Sequence, residues 1–319
     1  MPAGWQERWL VAAACALVSG CAGDVGVMLA ELDRQRSDLE LVQTPFYPQV
    51  TDQCGPSALA AVLNSSGITV SADALKSQIY IPGRQGSLQI ELLAAARGFG
   101  RIPYLVDADI GALLDEVRGG RPVLVLQNLG TRVAPMWHYA VVVGYLADER
   151  QLILRSGDRE RQVMSASRFV RTWKRADYWG VLVLRPGELP AAPDADRYIR
   201  SVAAIEAVGD SGNAVAGYLA ATERWPEHSL GWLGLGNAHY AEGDLELAEN
   251  AYARLLSAEP DHPIALNNLA QVQVDRGCFA DARATLDAAA AATADTTMHR
   301  TIQAARLDLG RRNLTTACP

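Results

Sequence analysis

Hydrophobic positions in the first half of the chain form two kinds of pattern. A run of small and apolar residues over 54–65 begins with Gly55 and Pro56, and proline is well tolerated in the first turn of a helix. This run therefore predicts a buried helix, whereas short runs rich in Val, Leu and Ile predict strands. The predicted elements are helices over 54–65, 71–78, 88–98, 109–118 and 165–173, and strands over 101–106, 121–129, 138–146, 151–157 and 178–184.

The order of these elements indicates the fold class. Helices come first and mostly antiparallel strands follow, which is typical of an α+β domain. Ser71 and Ser87 are the predicted N-caps of the second and third helices, because a serine oxygen can accept from a free N–H of the first turn. The stretch from Tyr80 to Ser87 contains Gly83 and Gly86 and is predicted to be a loop at the lip of a cleft.

The second half of the chain repeats its pattern every 34 residues. Glycine and alanine recur at this spacing, at Gly209, Gly243 and Gly277 and at Ala214, Ala248 and Ala282. The period resembles the tetratricopeptide repeat, a pair of helices in which small residues allow close approach. Three units are predicted, over 195–228, 229–262 and 263–296, with a capping helix from about His299 to Leu309. Because one pair cannot bury its apolar side alone, the copies should stack into an all-α array that offers a concave surface to a protein partner.

A proline-rich segment separates the two halves. The sequence PGELPAAPDAD begins at Pro186 and contains three prolines, which favours a linker over 186–195. The predicted organisation is therefore one domain over 41–185 and a repeat array over 195–319.

The N-terminus resembles a secretory leader. A short apolar stretch from Trp9 to Val18 follows Arg8 and is too short to span a bilayer. It ends in Val18-Ser19-Gly20-Cys21, which resembles a bacterial lipobox and implies a leader over 1–20, a lipidated Cys21 and a tether over 21–40. The expected location is the bacterial cell envelope, with the protein lipid-anchored and facing the periplasm. The alternative is an ordinary secretory leader without lipid.

Composition and charge narrow the functional classes. The chain has 319 residues, of which 49% are hydrophobic and 20% are charged, as in ordinary globular proteins. A net charge of −7 argues against a nucleic-acid partner. The four histidines of the repeat region lack metal-ligand spacing, so neither a metal nor a cofactor is predicted. Without the leader and Cys21, the cysteines are Cys54, Cys278 and Cys318, and a Cys278–Cys318 disulfide is compatible with the sequence but not fixed by it.

Cys54 and His138 are the candidate chemical groups of the N-terminal domain. A cysteine attacks acyl groups as its thiolate, and the positive end of a helix dipole stabilises that charge. Cys54 stands at a predicted helix start, and His138, the only histidine of the domain, opens a predicted strand. A cysteine at a helix start with a histidine at a strand start is the papain-like arrangement. The alternative is that each is only a packed core residue.

Two stretches carry a resemblance to a known family. The stretches QVTDQCGPSALAAVLN, from Gln49, and HYAVVVGY, from His138, resemble the bacteriocin-processing (double-glycine) cysteine peptidases and their free-standing relatives. This resemblance implies a papain-like α+β domain with Cys54 as nucleophile and His138 as base. It also implies a glutamine that donates to the oxyanion, together with the Cys54 backbone N–H. Gln49 is favoured for that role and Gln53 is the rival.

The third catalytic position departs from the family pattern. Relatives orient the histidine with Asp or Asn, but this chain has Ser156 near that position and Asp158 two residues further on. The hypothesis is an envelope-anchored cysteine peptidase whose repeats recruit a protein substrate or partner. The alternatives are a weak or inactive peptidase-like binding module, and an amidase or acyl-transfer enzyme that uses the same Cys–His pair.

Overall fold

The computed structural model describes residues 37–48 and 53–312. The leader, Cys21, Gln49 and Cys318 therefore lie outside the described residues. The described chain divides into two compact units. The first contains the described residues through Phe99, together with Pro103–Leu184 and Pro190–Ala192, and the second contains Gly100–Ile102, Arg185–Leu189 and the chain from Pro193 onward.

The N-terminal unit is an α+β fold, as predicted. Its helices are α1 (Cys54–Ser65), α2 (Ala72–Ile79), α3 (Gln89–Gly98), α4 (Ile110–Arg118) and α5 (Ala166–Lys174), with a 3₁₀ turn at Pro82–Arg84. Its strands are β1 (Leu39–Glu40), β2 (Ile102–Leu105), β3 (Val123–Asn128), β4 (Trp137–Leu146), β5 (Gln151–Ser156), β6 (Arg159–Ser165) and β7 (Gly180–Leu184).

The seven strands form one sheet. Their order is β2-β7-β3-β4-β5-β6, and β1 pairs with β4 outside this path. The pairs of β3 with β4, β4 with β5, β5 with β6, and β3 with β7 are all antiparallel. Helix α1 packs on one face of this sheet, where its residues Ala58 to Leu63 are buried against apolar side chains of β3 and β4 such as Leu126 and Val141. The buried sheet thus fixes the position of the N-terminus of α1.

Three local features differ from the sequence predictions. Ser87 is not an N-cap: the N-cap of α3 is Leu88, and α3 has no side-chain cap hydrogen bond. By contrast, Ser71 caps α2 as predicted: its hydroxyl oxygen accepts from the Ala74 N–H at 3.1 Å. Strands β1 and β6 were not predicted, because β1 has only two residues and most of β6, RERQVMS, is polar and exposed.

The C-terminal unit is a series of helix pairs. The helices are α6 (Ala195–Glu206), α7 (Ser211–Arg224), α8 (Ser229–Glu242), α9 (Leu245–Ala258), α10 (Pro263–Asp275), α11 (Phe279–Ala292) and α12 (Thr296–Arg312). The recurrent glycines follow the first helix of each pair with positive φ: 86° at Gly209, 83° at Gly243 and 78° at Gly277. Such angles strain residues that carry a Cβ, which explains why glycine recurs there.

The repeated small residues allow close helix packing. Ala214, Ala248 and Ala282 are completely buried. A Cβ on Gly236 of α8 would overlap the ring of Tyr252 in α9. The final helix, α12, extends beyond the predicted capping helix by three residues at each end, since it runs from Thr296 to Arg312.

Candidate active site

Cys54 is the first residue of α1. The first-turn N–H groups of a helix have no partner within the helix, so this position supplies partial positive charge to a thiolate. Gln53 is the N-cap residue, and its side chain makes no cap hydrogen bond. Among the described residues, Cys54 takes part in no disulfide, whereas Cys278 is disulfide-bonded.

A cavity of about 440 Å³ lies in front of Cys54. Its lining comes from five segments of the N-terminal unit, and the residues are Cys54, Arg84, Gln85, Gly86, Ser87, Leu88, Gln89, Leu126, Trp137, Tyr139, Ala176 and Asp177. The predicted cleft lip over 80–87 thus contributes its last four residues to the wall. A Cβ on Gly55 would lie 2.8 Å from the Ser87 side chain, so this glycine lets the lip pack closely on the start of α1.

His138 is the second residue of β4 and is not among the residues that line this cavity. Its neighbours Trp137 and Tyr139 both line the wall. His138 is paired across the sheet with Gln127 of β3. The histidine is partly buried, and burial lowers the pKa of its imidazole, which favours the neutral ring. A neutral ring can accept a proton, as a general base must.

Ser156 is the partner of His138. The Ser156 hydroxyl, at the end of β5, lies 2.8 Å from the His138 Nε2 atom. Because Ser156 engages Nε2, any proton exchange with a thiol falls to Nδ1. Asp158 is placed differently: its side chain is 92% exposed and lies 3.9 Å from the Arg159 guanidinium. The structure therefore brings Ser156, rather than Asp158, to the histidine.

Tyr139 lies at the cavity wall, next to α1. Its ring belongs to the apolar cluster that packs against α1, and its hydroxyl donates to the Ser87 carbonyl at 3.3 Å. Burial, together with the nearby Cys54 thiolate, raises the pKa of the Tyr139 phenol. This phenol stays protonated at neutral pH and is a fixed donor at the cavity wall.

Several wall residues were missed in the sequence. Asp177 and the adjacent Tyr178 have φ of 51° and 54°, and Gln85 has 49°, in the left-handed region that residues other than glycine seldom adopt. Such backbone strain often marks functional sites. Asp177 follows α5 in a segment without a motif, so local sequence contained no signal for it. Among the described residues, no group of three or more His, Cys, Asp and Glu residues is arranged to hold a metal ion.

Family models match both parts of the chain. Residues 41–180 match the model described as the Peptidase C39 like family. Two tetratricopeptide-repeat models match residues 206–255 and 239–305. The chain therefore carries a C39-like peptidase domain followed by tetratricopeptide repeats, which confirms both resemblances inferred from the motifs and the 34-residue period. The lipobox stays a prediction.

Solved structures resemble parts of this chain. A Bacillus anthracis protein provisionally described as a C39-like peptidase is 18% identical, with a TM-score of 0.39, covering 47% of this chain and 98% of its own. The type III secretion translocator chaperone SycD of Yersinia enterocolitica is 17% identical, with a TM-score of 0.36, covering 37% and 84%. The TPR2B domain of yeast Sti1, in its pHsp70 complex, is 21% identical, with a TM-score of 0.36, covering 37% and 97%. No curated protein matches the chain.

Proposed function

We propose that the N-terminal unit is a cysteine peptidase that cleaves or transfers an acyl group of a peptide. The observation that carries this proposal is the placing of Cys54 at the start of α1, on the wall of a 440 Å³ cavity that Trp137 and Tyr139 also line. In the sequence, His138 stands between these two aromatic residues. Its Nε2 atom lies 2.8 Å from the Ser156 hydroxyl.

The proposed reaction has two steps. In the first, His138 takes the thiol proton and the Cys54 sulfur attacks the carbonyl carbon. The tetrahedral intermediate then collapses, and the amine leaves with the proton from His138. In the second, His138 removes a proton from water, whose oxygen attacks the thioester and releases the acid and the thiol. The backbone N–H of Cys54 is the proposed oxyanion donor, together with Gln49 by resemblance to the family.

Ser156 determines how the pair works. A hydroxyl orients the imidazole but does not stabilise imidazolium as a carboxylate does. Because burial also lowers the pKa of His138, the neutral thiol–imidazole form should dominate over the thiolate–imidazolium ion pair. The proposed enzyme is therefore a general-base cysteine hydrolase of modest rate.

The cavity rim fits a polypeptide substrate. Leu88 is 36% exposed and Trp137 is 54% exposed at the wall, and Met136, directly before Trp137, is also exposed. Exposed apolar side chains next to a cleft commonly mark binding surfaces. Arg84 and Asp177 add one charge of each sign to the same wall.

We propose that the repeats bind a protein partner or substrate and that a lipidated Cys21 anchors the chain at the bacterial envelope. Stacked helix pairs form extended surfaces suited to protein recognition. In the described part of the chain, no helix has the length and apolar character to cross a bilayer. Labelled palmitate should enter the wild type and not the Cys21→Ser variant, and equal incorporation would refute the anchor.

A second candidate function is a peptidase-like binding module. The Ser156 contact favours this function, since the group beside the His138 ring is an uncharged hydroxyl and not a carboxylate. In this case the cavity would hold a peptide tail without cleaving it. An amidase or acyl-transfer enzyme would use the same Cys–His pair.

Alkylation of Cys54 tests the proposal. Iodoacetamide labelling of the folded protein, mapped by mass spectrometry across pH, should modify Cys54 below pH ~8.5, the usual thiol pKa. His138→Gln should slow that reaction at neutral pH and change its pH profile, because the general base that takes the thiol proton is lost. A Cys54 that reacts only after denaturation would rule out the enzyme. A Cys54→Ala variant then serves to capture the substrate or partner.

A further inference from the structure

Asn128 organises the loop that leads into His138. It is the last residue of β3, is only 2% exposed and lies opposite Trp137 in the β3–β4 pair. Its Oδ1 atom accepts from the backbone N–H groups of Gly130 and Met136, both at 3.0 Å. Its Nδ2 atom donates to the Thr131 carbonyl at 3.1 Å. One buried side chain thus satisfies three backbone groups of this loop.

The loop itself is tightly closed. The N–H of Leu129 donates to the Met136 carbonyl at 2.8 Å, and that of Thr131 donates to the Ala134 carbonyl at 3.1 Å. A Cβ on Gly130 would overlap the Ala134 carbonyl oxygen. The chain therefore enters β4 with little freedom, and the next two residues are Trp137 and His138.

Asn128 is also bound from a second segment of the cavity wall. The Arg175 guanidinium donates twice to the backbone carbonyl of Asn128, from Nε at 3.1 Å and from Nη2 at 2.8 Å. Arg175 directly precedes Ala176 and Asp177, which line the cavity. Asn128 thus joins the β3–β4 loop to the segment after α5.

We propose that Asn128 is a positioning residue: through Arg175 it locks two walls of the cavity together and holds His138 in register for Cys54. The inference rests on the proposed function for its catalytic consequence, whereas the link between the two walls stands on the contacts alone. The alternative is that Asn128 merely closes its own loop. A positioning role requires that breaking the link changes the segment after α5 and the reactivity of Cys54.

Two variants weaken the link from either side. Asn128→Ala removes the three side-chain bonds that fix the loop but keeps the backbone carbonyl that Arg175 contacts. Arg175→Gln removes the paired donation itself and leaves the Asn128 side chain in place. Arg175→Lys should partly rescue, because it retains one donor. Asn64→Ala is the matched control: Asn64 donates to the carbonyls of Ala60 and Val70, both at 2.8 Å, near the opposite end of α1. Arg175→Gln also tests the proposal if Asn128→Ala does not fold.

Two readouts are needed. Amide hydrogen exchange should accelerate about tenfold, in both 129–137 and 175–179, in Asn128→Ala and Arg175→Gln. The rate of Cys54 alkylation at pH 7 should fall about tenfold, and its pH profile should shift. This loss lies within the ~100-fold fall in rate that a 1 Å misplacement of a reacting group can cause. Asn64→Ala should change neither readout.

The outcomes separate this inference from the proposed function. Faster exchange confined to 129–137 in Asn128→Ala, with an unchanged alkylation profile, would overturn the positioning role. If His138→Gln leaves the wild-type alkylation profile unaltered, the proposed Cys–His pair fails. The exchange experiment then tests the link between the two walls independently of the chemistry. Faster exchange in both 129–137 and 175–179 supports the link, and faster exchange in only one of these segments overturns it.

Discussion

The two units of this protein are built from contacts of different range along the chain. In the repeats, each helix packs on the next: Gly236 of α8 receives the ring of Tyr252 in α9, and Gly234 of α8 receives the ring of Tyr218 in α7. In the N-terminal unit, the candidate site draws Cys54, His138 and Ser156 from α1, β4 and β5. Local packing recurs at a fixed spacing, whereas the site exists only after the sheet has formed.

This difference predicts how each unit fails. A single added methyl group should damage the repeats, because their helices approach through glycine. The candidate site should instead respond to a single charge, because the proposed chemistry depends on the protonation of His138. Four measurements, ordered by expected effect, test this contrast.

The largest effect is expected at the α8–α9 contact. Gly236→Ala should lower the free energy of unfolding of the repeat unit by about 3 kcal/mol, because the new Cβ overlaps the buried Tyr252 ring. Gly212→Ala is the matched control: its Cβ would lie 3.8 Å from the Glu242 carboxylate, in ordinary contact, and the change should stabilise the unit by up to ~1 kcal/mol. Calorimetry measures both variants. Equal stability of the two would contradict the packing argument.

The next effect concerns the partner of His138. Ser156→Asp places a carboxylate against the ring and should raise the pKa of His138, because it stabilises imidazolium. The apparent pKa of Cys54 alkylation should fall by about one unit, or ~1.4 kcal/mol. Ser156→Ala, which only removes the 2.8 Å contact, should not lower it. Identical alkylation profiles for Ser156→Asp and the wild type would show that this position does not act on the pair.

A smaller effect is expected at the end of α8. Gly243 has φ of 83°, and nothing lies within 4 Å of an added Cβ, so Gly243→Ala tests backbone strain without a clash. It should destabilise the repeat unit by about 1 kcal/mol, and Gly243→Asn by less, since asparagine tolerates this conformation better. Thermal unfolding compares the two variants. A larger loss for asparagine would argue against strain as the cause.

The smallest effect is the pH dependence of the N-terminal unit. Burial lowers the pKa of His138 in the folded state, whereas the unfolded chain keeps a value near 6.5. Between the two values the unfolded state binds more protons, so stability should fall as the pH drops below about 6.5. The loss from pH 7.5 to pH 5.5 should be smaller in His138→Gln than in the wild type. An equal loss would assign the pH dependence to other groups.

Much of the fold could be predicted from local sequence. The bounds of α1 are those of the apolar run, and the positive φ at Gly209, Gly243 and Gly277 accounts for the 34-residue glycine spacing. The prediction of Ser87 as a helix cap was wrong, because the Ser87 side chain packs against Gly55 instead. Strand β6 was missed because an exposed edge strand lacks the alternating apolar pattern.

The sequence by itself determined the residue types of the site and the helix-pair architecture, because both depend on short-range patterns: a cysteine at a helix start, a histidine at a strand start and glycine where helices meet. Only the tertiary structure decided between Ser156 and Asp158. The turn after β5 exposes the carboxylate, while the register of β5 on β4 brings the hydroxyl to the ring. The structure likewise brought Arg175 to the backbone carbonyl of Asn128, since contacts between distant segments follow from strand order and register, which no single segment encodes.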